Sequence, residues 1–290
     1  MRMLCVLTIV FASIMLYLFG SYIEWVPAFS LLAAGLLLGL VSPLIAARKL
    51  YFLAGAAPHS GLFAALGAII VSYLIGIGVS NTYALYTLSI IIGVLAIYIA
   101  GYMVFKGVDP DIAASTLIAF TSSMSVVEAY YVKTSLPVPF DVLSVVFGDP
   151  LLVTSKELLV VIATLVFAVL VVVFTYHGQV YLGIDRDLAM LSGIELWAYD
   201  LALFTLLGAL VVSLIRVVGF ILEHILLLLP GAIASIYAKS SRDALVVSVL
   251  VSLIATSIGM LISLIIPIAP SGAIGLSMLG VYVVLILLKR

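Results

Sequence analysis

Charge is scarce in this sequence: 9% of its 290 residues are Asp, Glu, Lys or Arg, while 66% are hydrophobic. Too few polar side chains are present to cover a water-soluble interior, and a mean hydropathy of +1.44 makes lipid the natural solvent. The single Cys5 excludes an intrachain disulfide framework and a thiolate metal cage. A net charge of −1 points to no nucleic-acid partner. No GxxxxGK[ST] loop and no Gly-Lys pair occur, so the chain does not hold ATP in that way. Neither HExxH nor GxSxG is present, which leaves an intramembrane hydrolase without a recognisable catalytic set.

What is present is a series of long apolar runs. LLVVIATLVFAVLVVVF (158–174) is apolar on every face and lacks the alternation of a β-barrel strand. A bilayer core needs about 20 apolar residues per helical crossing, and all backbone polar groups must be satisfied within the segment. Charges, prolines and polar clusters divide the chain into segments 3–20, 28–47, 56–79, 83–105, 111–131, 157–177, 198–216, 219–238, 244–267 and 273–288. The expected fold is therefore all-α, with about ten crossings or partial crossings. No small-x-small cleavage site follows Gly20, so the first segment reads as a retained helix rather than a signal peptide.

Lys and Arg set the expected orientation. With a cytoplasmic N-terminus, Arg2, Arg48, Lys49, Lys106, Arg186, Lys239, Arg242, Lys289 and Arg290 fall at cytoplasmic ends. Only Lys133, Lys156 and Arg216 fall at or near the outside, and the C-terminus returns to the cytoplasm.

The stretch YLGIDRDLAMLSGIELW (181–197) concentrates charge between the sixth and seventh segments. Asp185 or Asp187 suits the start of a two-turn helix, and Gly193 suits its left-handed close. Leu188 and Leu191 share one face. Two readings follow: a helix that presses into a groove on another protein, or an ordinary capped loop.

Ionisable residues inside the spans are few, and such groups are usually paired or functional. His59 follows Pro58 among Gly, Ala and Ser, which permit close helix approach or a broken helix. Glu223 and His224 lie one turn into the eighth segment, with Arg216 before them across the Val217-Val218-Gly219 turn. Glu128 lies near the outer end of the fifth. Imidazole and carboxylate are first-row metal ligands, so these residues read as a metal path. The competing readings are an Arg216–Glu223 ion pair, a solvated helix end for Glu128, and an interfacial position for His177.

Four stretches, taken in order, resemble the ABC-type zinc/manganese permeases. The pattern Asp185-x-Asp187-x-Ala189-x-x-x-Gly193 after Tyr176 is similar to that family's cytoplasmic D-x-E-x-A-x-x-x-G helix. ARKLYFLAGAAPHSGLFAALG (47–67) is similar to its FLGDALSH stretch, VVGFILEHILLLLPGAIA (217–234) to its V-V-G and L-P-A-x-x-A, and IAPSGAIGL (268–276) to its L-P-S-G-x-x-I. The resemblance spans residues 25–290 and leaves 1–24 as an extra N-terminal transmembrane helix. It implies a type II-like importer permease in the cell membrane, working as a homodimer. Two cytoplasmic ATP-binding cassette subunits would lie below and an extracytoplasmic metal-binding protein above. This chain would bind no cofactor, ATP and Mg entering through the partner ATPase. Residues Asp185, Arg186, Asp187, Leu188, Ala189, Met190, Leu191, Ser192 and Gly193 would form the coupling helix. His59 would be the family's intramembrane histidine and the metal ligand; Glu223, His224, Arg216 and Glu128 would be further pathway residues. One departure stands out: four positions before His59, where the family carries an acid on the same helix face, this chain has Gly55. Either Glu223 and His224 compensate, or the path is permissive, or the substrate differs. An ion-coupled secondary transporter is the alternative class, although no repeat relates the two halves.

Overall fold

The computed structural model describes residues 2–79, 81–138 and 148–288, the first three without side-chain detail. Lys289 and Arg290 lie outside the described residues, as does the side chain of Arg2. The helices in chain order are α1 (Arg2–Tyr22), α2 (Trp25–Arg48), α3 (Tyr51–Leu74), α4 (Thr82–Phe105), α5 (Pro110–Ser135), α6 (Ser155–Ile184), α7 (Arg186–Leu191), α8 (Leu196–Tyr237), α9 (Ser241–Ile265) and α10 (Pro270–Leu288). A single 3-10 turn, Pro150–Leu152, precedes α6. Among the described residues nine helices are long and apolar enough to cross a membrane, and no strand occurs.

The predicted seventh and eighth spans, 198–216 and 219–238, are the two helical halves of the 42-residue stretch Leu196–Tyr237, which meet at Gly219 without an intervening loop, as the turn expected across Val217-Val218-Gly219 requires. A straight helix of that length would run about 63 Å, twice a bilayer core. It does not run straight. Gly219 has φ 75° and ψ 159°, outside the helical region. Asp200, near the start of α8, pairs with Arg48 at the end of α2, while Gly231 donates its N–H to Ser42 Oγ, six residues back along α2. A straight helix would hold Asp200 and Gly231 about 46 Å apart, more than those contacts can span. The second half of α8 therefore folds back along α2 toward the face from which the first half came. The turn leaves the Arg216 carbonyl without its helical donor, and the Asp149 N–H supplies one at 3.2 Å. Gly148 and Gly219 touch backbone to backbone there, where a Cβ on Gly148 would strike Gly219.

With little hydrophobic drive between helices in lipid, small residues that let backbones approach carry much of the packing. Ser248 and Ser252 of α9 donate to the carbonyls of Gly39 and Gly35 on α2, each at 2.7 Å. Gly61 of α3 faces the Val211 carbonyl of α8. Despite Pro58, α3 is continuous, so its small residues serve close approach and do not break the helix. The most buried helices, α2, α3 and α8, form the centre, and α1 and α10 lie at the rim.

Alternation of the helices sorts their ends onto two faces. Arg48, Lys49, Lys106, Arg186, Lys239 and Arg242 share the face that carries α7, while Lys133, Lys156 and Arg216 lie at the other. Tyr237 on the α7 face donates its hydroxyl to the Leu285 carbonyl in the last turn of α10. The start of α1 and the end of α10 both lie on that face.

Gly219→Ala places a Cβ in backbone space that is essentially reserved for glycine, at a cost of about 1–3 kcal/mol. Thermal melting in detergent is expected to show a clear loss of stability for this variant, and little change for Gly280→Ala, where a Cβ would meet nothing within 4 Å.

Candidate translocation and coupling sites

The short helix α7 is built by its ends. Asp185 closes α6 and caps α7, its carboxylate accepting from the Leu188 N–H at 3.0 Å. Gly193, at φ 82°, takes the left-handed position after the last turn, and the Ile194 N–H returns to the Ala189 carbonyl at 3.1 Å. Ala189 alone is buried against the bundle, while Leu188, Met190 and Leu191 are exposed together with Arg186 and Asp187. An apolar ridge flanked by charge thus stands on the face where most of the basic residues gather.

Midway through the bundle the fold brings together two histidines far apart in sequence. His59 lies eight residues into α3, about 12 Å from its start. The reversal at Gly219 presents His224 to it, with ring centroids 5.2 Å apart, and Phe220 packs edge-on against both rings at 4.9 and 4.8 Å. Ser122 Oγ of α5 lies 2.8 Å from His59 Nδ1. His224 Nδ1 lies 2.7 Å from the Phe220 carbonyl, which only accepts, so in the neutral ring that nitrogen carries the hydrogen and Nε2 the lone pair. Two half-buried imidazoles and a hydroxyl therefore meet within the membrane-spanning core. Among the described residues no group of three or more His, Cys, Asp and Glu is arranged to hold an ion. Gly55 leaves its place open, because a Cβ there would meet nothing within 4 Å.

The acidic residues fall elsewhere. Glu128 is buried, with one carboxylate oxygen against Gly67 and the other without a hydrogen-bond partner, which overturns its reading as a solvated helix end. Glu223 is fully buried and neither oxygen has a partner. The Arg216–Glu223 ion pair does not form. Arg216 pairs instead with Glu157 of α6 at 3.0 Å, because the turn at Gly219 points the two ends of VVGFILE in different directions. Glu157 is positioned in advance: its other oxygen closes a capping box with Thr154 N–H and Oγ at 2.7 and 3.0 Å. The Thr-x-x-Glu spacing at 154–157 carries that signal in the sequence. His177 is exposed near the end of α6.

A second cluster went unread in the sequence. Asp200 accepts from Arg48 through Oδ1 and from Arg186 through Oδ2, each at 2.6 Å. Buried Gln179 accepts from Arg48 at 2.5 Å and donates to the Tyr199 carbonyl at 2.8 Å. Separations of 131 and 152 residues leave no local pattern to find; the only cue is polar side chains at the ends of apolar runs.

A bundle of spanning helices with a capped, outward-facing short helix on one face is the architecture of a membrane permease, the part of a transporter that forms its passage but not its motor. The chain belongs to the ABC 3 transport family, which it matches over residues 21–289. It is 23% identical over 269 residues to the manganese transport system membrane protein MntC of Halalkalibacterium halodurans, covering 92% of this chain and 86% of that one. It is 24% identical over 195 residues to the high-affinity zinc uptake system membrane protein ZnuB of Buchnera aphidicola subsp. Acyrthosiphon pisum, covering 66% and 74%. The solved structure of PsaBC from Streptococcus pneumoniae in complex with Fab has the same fold, with a TM-score of 0.75, 20% identity and 91% of each chain covered.

A thermal-melt cycle separates the two acidic residues near Arg216. Glu157→Gln removes a buried partner from a guanidinium that is only about a third exposed, and is expected to cost about 1–3 kcal/mol. Adding Arg216→Gln to it should cost less than the sum of the single changes. Glu223→Gln, which breaks no pair, should be neutral or stabilising.

Proposed function

We propose that this chain is the membrane permease of an ATP-driven importer of divalent metal ions, with the first-row metals zinc, manganese or iron as its substrate class. The observation that carries the reading is the meeting of His59 and His224, from helices 165 residues apart in sequence, inside a family fold whose charged helix faces out from one end. A lone-pair nitrogen on His224 and the imidazole of His59 suit a borderline cation that passes by exchanging ligands. The α7 face is cytoplasmic, since it gathers six of the nine described basic residues outside the extreme termini. Both termini then lie in the cytoplasm, and α1 is an addition outside the permease core of 25–290.

In this reading the chain works as a homodimer. An extracytoplasmic binding protein delivers the ion, and cytoplasmic ATPase subunits receive α7 in a cleft. ATP binding and hydrolysis in those subunits bias two packings of the bundle, and the cargo crosses as one packing replaces the other. Leu188, Met190 and Leu191 supply the apolar contact, and Ala189 sets how closely α7 lies on the bundle.

Three measurements test this. Uptake in vesicles holding the partner ATPase and binding protein should fall roughly 10–100-fold for His59→Ala, by analogy with the loss of a metal-positioning group. Gly55→Asp, which has room for its side chain, should raise metal retained per permease, read by mass spectrometry. Equal uptake and equal metal content in all three proteins would make His59 a packing residue. Ala189→Trp has no room in its buried position and should lower metal moved per ATP hydrolysed while the membrane domain still folds. An unchanged ratio would remove α7 from the coupling.

A further inference from the structure

We propose that Asp200 is a positioning residue that links the coupling helix to the helix bearing His59, its two carboxylate oxygens binding Arg186 of α7 on one side and Arg48 of α2 on the other. The inference rests on the permease reading above and adds the connection by which motion of α7 reaches the centre of the membrane.

The two guanidinium groups differ. Arg48 is 5% exposed, and its described partners are Asp200 and Gln179, themselves held by α8 and α6. Arg186 is 51% exposed and reaches Asp200 from the element that faces the ATPase. The inner half of the bridge is fixed, and the outer half is the half that can open. One carboxylate shared by two cations also leaves net positive charge at the junction. The second guanidinium adds repulsion to the first, and it comes from the exposed short helix.

The inner end of the bridge sits at a joint. Arg48 is the last residue of α2, Lys49 follows in the left-handed conformation at φ 56°, and α3 begins at Tyr51. Beside it the last two turns of α6 are closely packed, since a Cβ on Gly183 would collide with the Ala47 carbonyl and one on Gly178 with the Tyr199 ring. A displacement of α7 therefore bears, through Asp200, on the α2–α3 joint, and α3 carries His59 eight residues further on.

The test uses the assembled transporter in vesicles, with permease, ATPase and loaded binding protein, and reads metal moved per ATP hydrolysed. Arg186→Gln, Arg48→Gln and their double variant are compared in the wild-type and Asp200→Asn backgrounds, with Arg186→Lys as the conservative replacement. Among the described residues, Asp200 is the side chain that Arg186 and Arg48 share. With Asp200 present, each single change should lower the ratio about tenfold and the double change little further; in the Asp200→Asn background, the two should no longer interact. Arg186→Lys should recover most of the ratio. If Arg48→Gln fails to yield folded permease, Arg186→Gln measured with and without Asp200→Asn decides by itself, because the bridge requires its effect to vanish once Asp200 is gone. Losses that multiply independently of Asp200, or that merely follow the amount of folded protein, would overturn the proposal. So would loss of ATPase association by Arg186→Gln while the wild type assembles, which would make Arg186 a docking residue. A wild-type chain that fails to associate with any ATPase would overturn the permease reading, and this inference with it.

Discussion

The turn at Gly219 is the constraint on which the rest of the molecule hangs. Lipid offers no water to satisfy a broken backbone, so a helix that reverses inside or at the edge of the bilayer must find new partners at once. Here a single residue supplies the dihedral angles and the segment before α6 supplies the donor, Asp149 N–H to the Arg216 carbonyl. Everything central follows from that reversal. It brings His224 to His59, turns Glu223 away from Arg216, and returns the chain along α2 so that Gly231 meets Ser42.

Most of the fold was legible because lipid makes hydropathy an almost sufficient guide. Each spanning helix coincides with an apolar run, and the ends are marked by Asn81, Asp109, Thr154 and Ser240, whose side chains cap the helices that follow. The short helix was legible too, since Asp185 and Gly193 are local signals. So was the turn across Val217-Val218-Gly219 that divides the seventh and eighth runs; its sharpness was not, because the dihedral angles of Gly219 are set by what packs on it.

The sites were legible only in part, and the failures share a cause. His59 stood out through its neighbours in sequence. Its companions His224 and Ser122 come from other helices, and adjacency in sequence had grouped Glu223 with His224 although successive helical residues point about 100° apart. The same reliance on adjacency paired Arg216 with Glu223. Glu157, which does pair with Arg216, was marked by its own capping box, a local pattern that fixes a carboxylate before any distant cation arrives.

Gly183 has a mechanical meaning beyond packing. Its α-carbon lies so close to the Ala47 carbonyl that the ends of α2 and α6 cannot be pressed nearer. An incompressible contact absorbs no work, so it would act as a fulcrum: a push on the short helix beyond it would emerge as rotation elsewhere. That rotation has to be taken up where backbones have clearance, and Gly55 beside His59 is one such place. The glycine that stands where the resembling family carries an acid is thus also a point of clearance on α3.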